Sequence, residues 1–65
     1  MPVLRIEMLA GRTRGQKQEL ADVLTREMSR IVNCSPESIQ IVFCDVARDD
    51  WAVGGRLVSE PARNG

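Results

Sequence analysis

Ile39-Gln40-Ile41-Val42-Phe43-Cys44-Asp45-Val46 is the stretch on which the fold turns. Read as a strand, it sends Ile39, Ile41 and Phe43 one way and Gln40, Val42, Cys44 and Val46 the other. Both sets are largely apolar, the pattern of a strand covered on both faces. Upstream, Val3-Leu4-Arg5-Ile6-Glu7-Met8-Leu9 alternates in the same way, with Leu4, Ile6 and Met8 on one side, and Gly11 ends it. Thr13 with Gln16 three residues later fits a helix capping box. Leu20, Val23, Leu24, Met28, Ile31 and Val32 then recur at helical spacing, and Asp22 and Arg26 form an i,i+4 pair. The spacing predicts a helix from about Arg14 to Val32, stopped at Asn33. Ser35 and Pro36 read as the cap and first residue of a short helical turn. After Val46, Ala47-Arg48-Asp49-Asp50 reads as a polar connection. Trp51-Ala52-Val53, Gly54-Gly55 and Arg56-Leu57-Val58 read as a short hairpin.

The resulting class is α+β: a β-α-β unit with parallel strands, a right-handed crossover and a C-terminal hairpin. One long helix covers only one face of the sheet, and two strands make an unstable sheet alone. The expectation is that further copies of the chain cover what remains. Length points the same way. The 65 residues read as one domain, with no periodicity from Ser59 to Gly65. A domain of this size buries only about 60% of the surface its unfolded chain exposes. Small domains add disulfides, a metal or a partner subunit. Cys34 and Cys44 are too few for a disulfide framework and lack zinc spacing, so both read as buried free thiols. Oligomerisation is what remains.

Composition narrows the chemistry. Nine basic and nine acidic residues give a formal net charge of zero, with no electrostatic footprint for nucleic acid or an anionic membrane. No apolar run approaches the length of a membrane span, and no secretory signal is seen, so the expected location is the cytoplasm. The absence of histidine removes His-based metal sites and catalytic triads. Asp45, Asp49 and Asp50 lack the spacing of a calcium loop and read as a solvated connection. No metal and no cofactor is expected.

The remaining acid–base candidates include the free α-amino group. A small residue at position two permits removal of Met1, and Pro2 would then expose a secondary amine aimed by the following strand. Such an amine abstracts or donates a proton or attacks a carbonyl. Burial and nearby arginines both disfavour its charged form.

The start Pro2-Val3, then Leu9-Ala10-Gly11-Arg12-Thr13, Gln16-Lys17 and Val53-Gly54-Gly55, resembles the 4-oxalocrotonate tautomerase family from Pro2 to about Leu57 without insertion or deletion. The resemblance implies β-α-β chains assembled as hexamers, usually trimers of dimers, with sites completed by neighbouring subunits. It implies an isomerase in which Pro2 is the general base and Arg12 grips the carboxylate of a small unsaturated 2-oxo or 2-hydroxy acid. Trp51 falls where the family has a phenylalanine on the apolar pocket wall.

Gln40 departs from the pattern, standing where the best-known members carry a second arginine. An amide donates hydrogen bonds without a full charge. Losing a charged pair there amounts to about 1.5–3 kcal/mol. Arg5 and Arg48 are the nearby cations that would restore it; the alternative is a monocarboxylated enol as substrate. Two other readings stay open: a lyase of the same superfamily (hydratase, dehalogenase or decarboxylase), and an inactive subunit of a mixed tautomerase oligomer.

Overall fold

A computed structural model describes residues 2–59. The elements follow in the order β1 (Val3–Leu9), α1 (Arg14–Val32), a 3-10 turn (Pro36–Ser38), β2 (Gln40–Val46), a second 3-10 turn (Arg48–Asp50), β3 (Ala52–Val53) and β4 (Arg56–Leu57). β1 and β2 pair in parallel, from Val3 against Gln40 to Leu9 against Val46. The β-α-β reading is therefore borne out.

Local chemistry explains each boundary. Gly11, at φ 120°, takes the chain out of β1 in a region closed to most residues. Thr13 accepts from the Gln16 backbone N–H at 3.1 Å, while the Thr13 N–H donates to Gln16 Oε1 at 2.9 Å. This reciprocal cap starts α1. At the other end Asn33 adopts the left-handed conformation, and its N–H returns to the Ser29 carbonyl at 3.0 Å.

The next turn differs in detail from the sequence expectation. Ser35 makes no side-chain cap; instead Ser38 Oγ donates to the Ser35 carbonyl at 2.7 Å. Ile39 closes this turn, so β2 starts one residue later than its alternation suggests. Gly54 and Gly55, both at positive φ, turn β3 antiparallel onto β4. That matches the hairpin turn whose twist suits its flanking strands. The connection from Ala47 is not irregular throughout, since Arg48–Asp50 forms a 3-10 turn. Of the predicted tail, residues 60–65 lie outside the described residues.

Alternation and register give the sheet two faces. Leu4, Ile6, Met8, Ile41, Phe43 and Asp45 share one; Val3, Arg5, Glu7, Leu9, Gln40, Val42, Cys44 and Val46 share the other. The first face meets α1. Lys17 Nζ lies 2.6 Å from Asp45 Oδ2 and ties the first turns of the helix to the far end of β2. Asp45 is thus a helix-anchoring group rather than part of a solvated connection. Glu7 lies on the outer face, away from Leu4, Ile6 and Met8, as read.

The helix stripe needs correction. Leu24 and Met28 are half-buried, but Leu20, Val23, Ile31 and Val32 are exposed. The half-buried positions are Lys17, Ala21, Leu24, Thr25, Met28 and Ser29. The cysteines are free, and both are half-buried rather than buried.

None of the described residues is buried, and no disulfide or metal cluster among them compensates. The radius of gyration is 15.8 Å, against about 11 Å for a compact chain of this length. Taken singly the chain is open, with α1 on one face of the sheet and Val3 and Val42 exposed on the other.

Val42 on the outer face is 44% exposed. Val42→Lys sets a second cation directly across from Arg5. The expected result is loss of assembly, because an unpaired charge on a covered surface costs several kcal/mol. Sedimentation should show single chains, with loss of helical circular dichroism. Unchanged sedimentation would mean that this face remains open to solvent.

Candidate active site

The four residues singled out from the sequence sit at the two ends of the sheet, on both of its faces. Pro2 is half-buried at the open start of β1, and its carbonyl accepts from the Gln40 N–H at 3.0 Å. The backbones of Pro2 and Gln40 are therefore neighbours. Their side chains are not: Pro2 continues the Leu4–Ile6 side, whereas Gln40 pairs with Val3 on the outer side.

Arg12 lies beyond the opposite end of β1. The six residue steps from Val3 to Leu9, at 3.3 Å each, make β1 about 20 Å long, with Pro2 before its start and Arg12 beyond its end. Arg12 lines an open groove of about 610 Å³ with Met8, Gln16, Glu19, Leu20 and Val23. The groove runs between the end of β1 and the first half of α1. Its walls are apolar apart from the Arg12 guanidinium, the Gln16 amide and the Glu19 carboxylate. Gly11 frees the loop, and the Thr13 cap fixes where the helix begins, so together they set the position of Arg12.

Trp51 is half-buried after the second 3-10 turn. It lines a separate groove with Glu7, Val46, Asp50 and Ala52. Glu7 and Val46 belong to the outer face, so Trp51 and Arg12 occupy opposite sides of the sheet.

No two of the four side chains meet within one chain. Pro2 and Gln40 stand at one end of the sheet, and Arg12 and Trp51 at the other. Among the described residues, no group of three or more Cys, Asp or Glu side chains is placed to hold a metal ion. Among these residues no helix is long and apolar enough to cross a membrane.

Lys17 and Asp45 escaped the sequence reading as a functional pair. They are 28 residues apart, and neither carries a local spacing signal. Lys17 being the chain's one lysine, directly after the Gln16 of the capping box, was the available hint.

Known proteins share this architecture. Residues 2–60 match the family model described as "Tautomerase enzyme". The 2-hydroxymuconate tautomerase of Bacillus subtilis (strain 168) is 32% identical over 60 residues, covering 92% of this chain and 97% of its own. The crystal structure of a 4-oxalocrotonate tautomerase homologue superposes with a TM-score of 0.89 at 36% identity, covering 97% of this chain and all of that one. A chain of the heterohexameric 4-oxalocrotonate tautomerase from Chloroflexus aurantiacus J-10-fl gives a TM-score of 0.87 at 33% identity, over 92% of this chain and 97% of its own. With its matched span running from Pro2 through the hairpin, the chain belongs to the Tautomerase family.

Proposed function

We propose that the protein is a cofactor-free isomerase that interconverts enol and keto forms of a small 2-oxo acid, in sites shared between copies. The observation that carries this reading is Pro2 at the open start of β1, in a chain of the Tautomerase family. Removal of Met1 exposes the ring nitrogen. As a neutral secondary amine it takes the proton of the enol hydroxyl and returns it to a carbon further along the conjugated chain. Electrons move only within the substrate, so no redox partner enters the balance.

Arg12 supplies the electrostatic half of the reaction. Its planar fork matches a carboxylate, and the charge of the dienolate grows next to it as the proton leaves. In the assembled site Gln40 orients the 2-oxo or far oxygen through its amide. Trp51 closes the apolar wall, and exclusion of water strengthens each of these contacts. Substrate and enzyme meet in the cytoplasm in this reading.

Assembly is required because the groups stand at opposite ends of a strand about 20 Å long. A homohexamer built as a trimer of dimers meets that requirement. The likeness to the heterohexameric protein favours a second reading, in which this chain is one subunit of a mixed oligomer. Retention of Met1 and co-purification of a second tautomerase-like chain would mark that case.

The test follows ketonisation of 2-hydroxymuconate and phenylenolpyruvate by ultraviolet absorbance, on protein whose intact mass shows Met1 removed. Turnover that depends on Pro2 supports the isomerase. No turnover of either enol with a free proline would overturn it.

A further inference from the structure

Among the described residues, Lys17 is the one charged residue that is half-buried. It heads the covered face of α1, with the half-buried Ala21 and Leu24 at i+4 and i+7. A cation on a covered face needs a partner, and Asp45 Oδ2 at 2.6 Å supplies it. Three other ion pairs stay inside one element: Arg5 with Glu7 on β1, and Arg26 with Asp22 and Arg30 with Glu27 on α1. Lys17 and Asp45 instead join two elements across 28 residues.

Both ends of the loop that carries Arg12 run to the same place on β2. Before the loop, the Ala10 N–H donates to the Val46 carbonyl at 2.9 Å. After it, the Lys17 N–H donates to the Thr13 carbonyl at 3.1 Å, and Lys17 Nζ reaches Asp45. Asp45 and Val46 are consecutive, so Gly11-Arg12-Thr13 is a short span clamped at both ends to one point of the sheet. Met8 stands opposite Asp45 in the strand register and lines the Arg12 groove, as does Gln16, the residue before Lys17.

We infer that Lys17 and Asp45 are positioning residues, whose ion pair holds the Arg12 loop against β2 so that the guanidinium meets the substrate carboxylate at a fixed place. This inference rests on the proposed isomerase reading. Neither residue touches substrate; the pair acts through Arg12.

The other restraints on the loop do not replace it. The Thr13–Gln16 box orders the first turn of α1 internally, whereas the ion pair fixes that turn against the sheet. Gly11, at φ 120°, supplies freedom rather than restraint. With the ion pair gone, the span is held to β2 through Ala10 at its near end, and Arg12 moves with the start of the helix.

The test is a double-mutant cycle on ketonisation of phenylenolpyruvate, with assembly checked by sedimentation. Lys17→Met keeps the length of the side chain and removes its charge. Alone it is expected to lower kcat/KM about 10–100-fold, the scale of a misplacement of about 1 Å. In an Arg12→Ala background it is expected to change the residual rate by less than about 3-fold, because no guanidinium remains to be misplaced. Lys17→Arg still reaches the carboxylate and is expected to keep most of the wild-type rate. A general loss of folded enzyme would lower both backgrounds by the same factor, and that result overturns the inference. Wild-type activity in Lys17→Met overturns it too. Should Lys17→Met fail to assemble, Asp45→Asn, which keeps the shape of the side chain, takes its place in the cycle under the same outcomes.

If wild type turns over neither enol, the isomerase reading has failed by itself, and amide hydrogen exchange in the same variant decides the inference. Faster exchange at Ala10, Thr13 and Gln16, with the later turns of α1 unchanged, sustains the clamp. Unchanged exchange at those three amides, or equal acceleration along the whole helix, overturns it.

Discussion

Pro2→Ala is expected to lower kcat/KM for enol ketonisation by about 10²–10⁴-fold, the range of a positioned general base. The variant still presents an amine once Met1 is removed, so the loss comes from chemistry and geometry together. The pyrrolidine ring ties the nitrogen back to its own side chain and makes it a secondary amine aimed by β1. Alanine offers a primary amine on a freer backbone. A misplacement of about 1 Å is enough for a 100-fold loss. Because Pro2 contributes its carbonyl to the sheet through Gln40, and alanine keeps that carbonyl, the fold should persist. The check is stopped ultraviolet assays on assembled protein of verified mass. Activity within a few-fold of wild type would remove Pro2 from the chemistry.

Arg12→Ala is expected to cost about 10²–10³-fold in kcat/KM, comparable to removing a donor that stabilises a developing oxyanion. If Arg12 acted only in binding, KM would rise and kcat would stay. The proposed role beside the dienolate predicts that kcat itself falls. Arg12 sits on the loop between Gly11 and the Thr13 cap and is exposed, so its removal should leave α1 intact. Steady-state kinetics with both enols separates the two cases. A KM effect alone would reduce Arg12 to a substrate anchor.

The elements most legible in the sequence are those specified by short-range chemistry. The Thr13–Gln16 box, Asn33 at the helix stop, Gly11, and the Gly54-Gly55 turn all form as their residue types dictate. Periodicity identified the apolar positions of α1 but not what covers them. Leu20, Val23, Ile31 and Val32 share the helical spacing with Leu24 and Met28, yet only the last two are half-buried. A period of 3.6 gives the stripe, and the direction of the stripe depends on tertiary packing. Lys17 with Asp45 was invisible for a related reason, since an ion pair across 28 residues leaves no local pattern.

The site shows the same division. Pro2, Arg12, Gln40 and Trp51 were singled out as a set through a family resemblance. Their separation was not, because no spacing along a chain tells which end of which face a side chain will occupy. The sequence offered both Arg5 and Arg48 as cations near Gln40. Strand register distinguishes them, placing Arg5 diagonal to Gln40 on the same face and Arg48 at the far end.

The central claim is that Pro2 and Arg12 act on one substrate from different chains. Its most direct test mixes the two inactive variants, Pro2→Ala and Arg12→Ala, by coexpression with distinct tags and isolation of the doubly tagged oligomer. A site assembled across chains then finds an intact proline in half the cases and an intact arginine in half. Activity should return to about a quarter of wild type for random pairing across such an interface. Doubly tagged oligomers no more active than either parent would contradict the account and place both groups in the same chain's site.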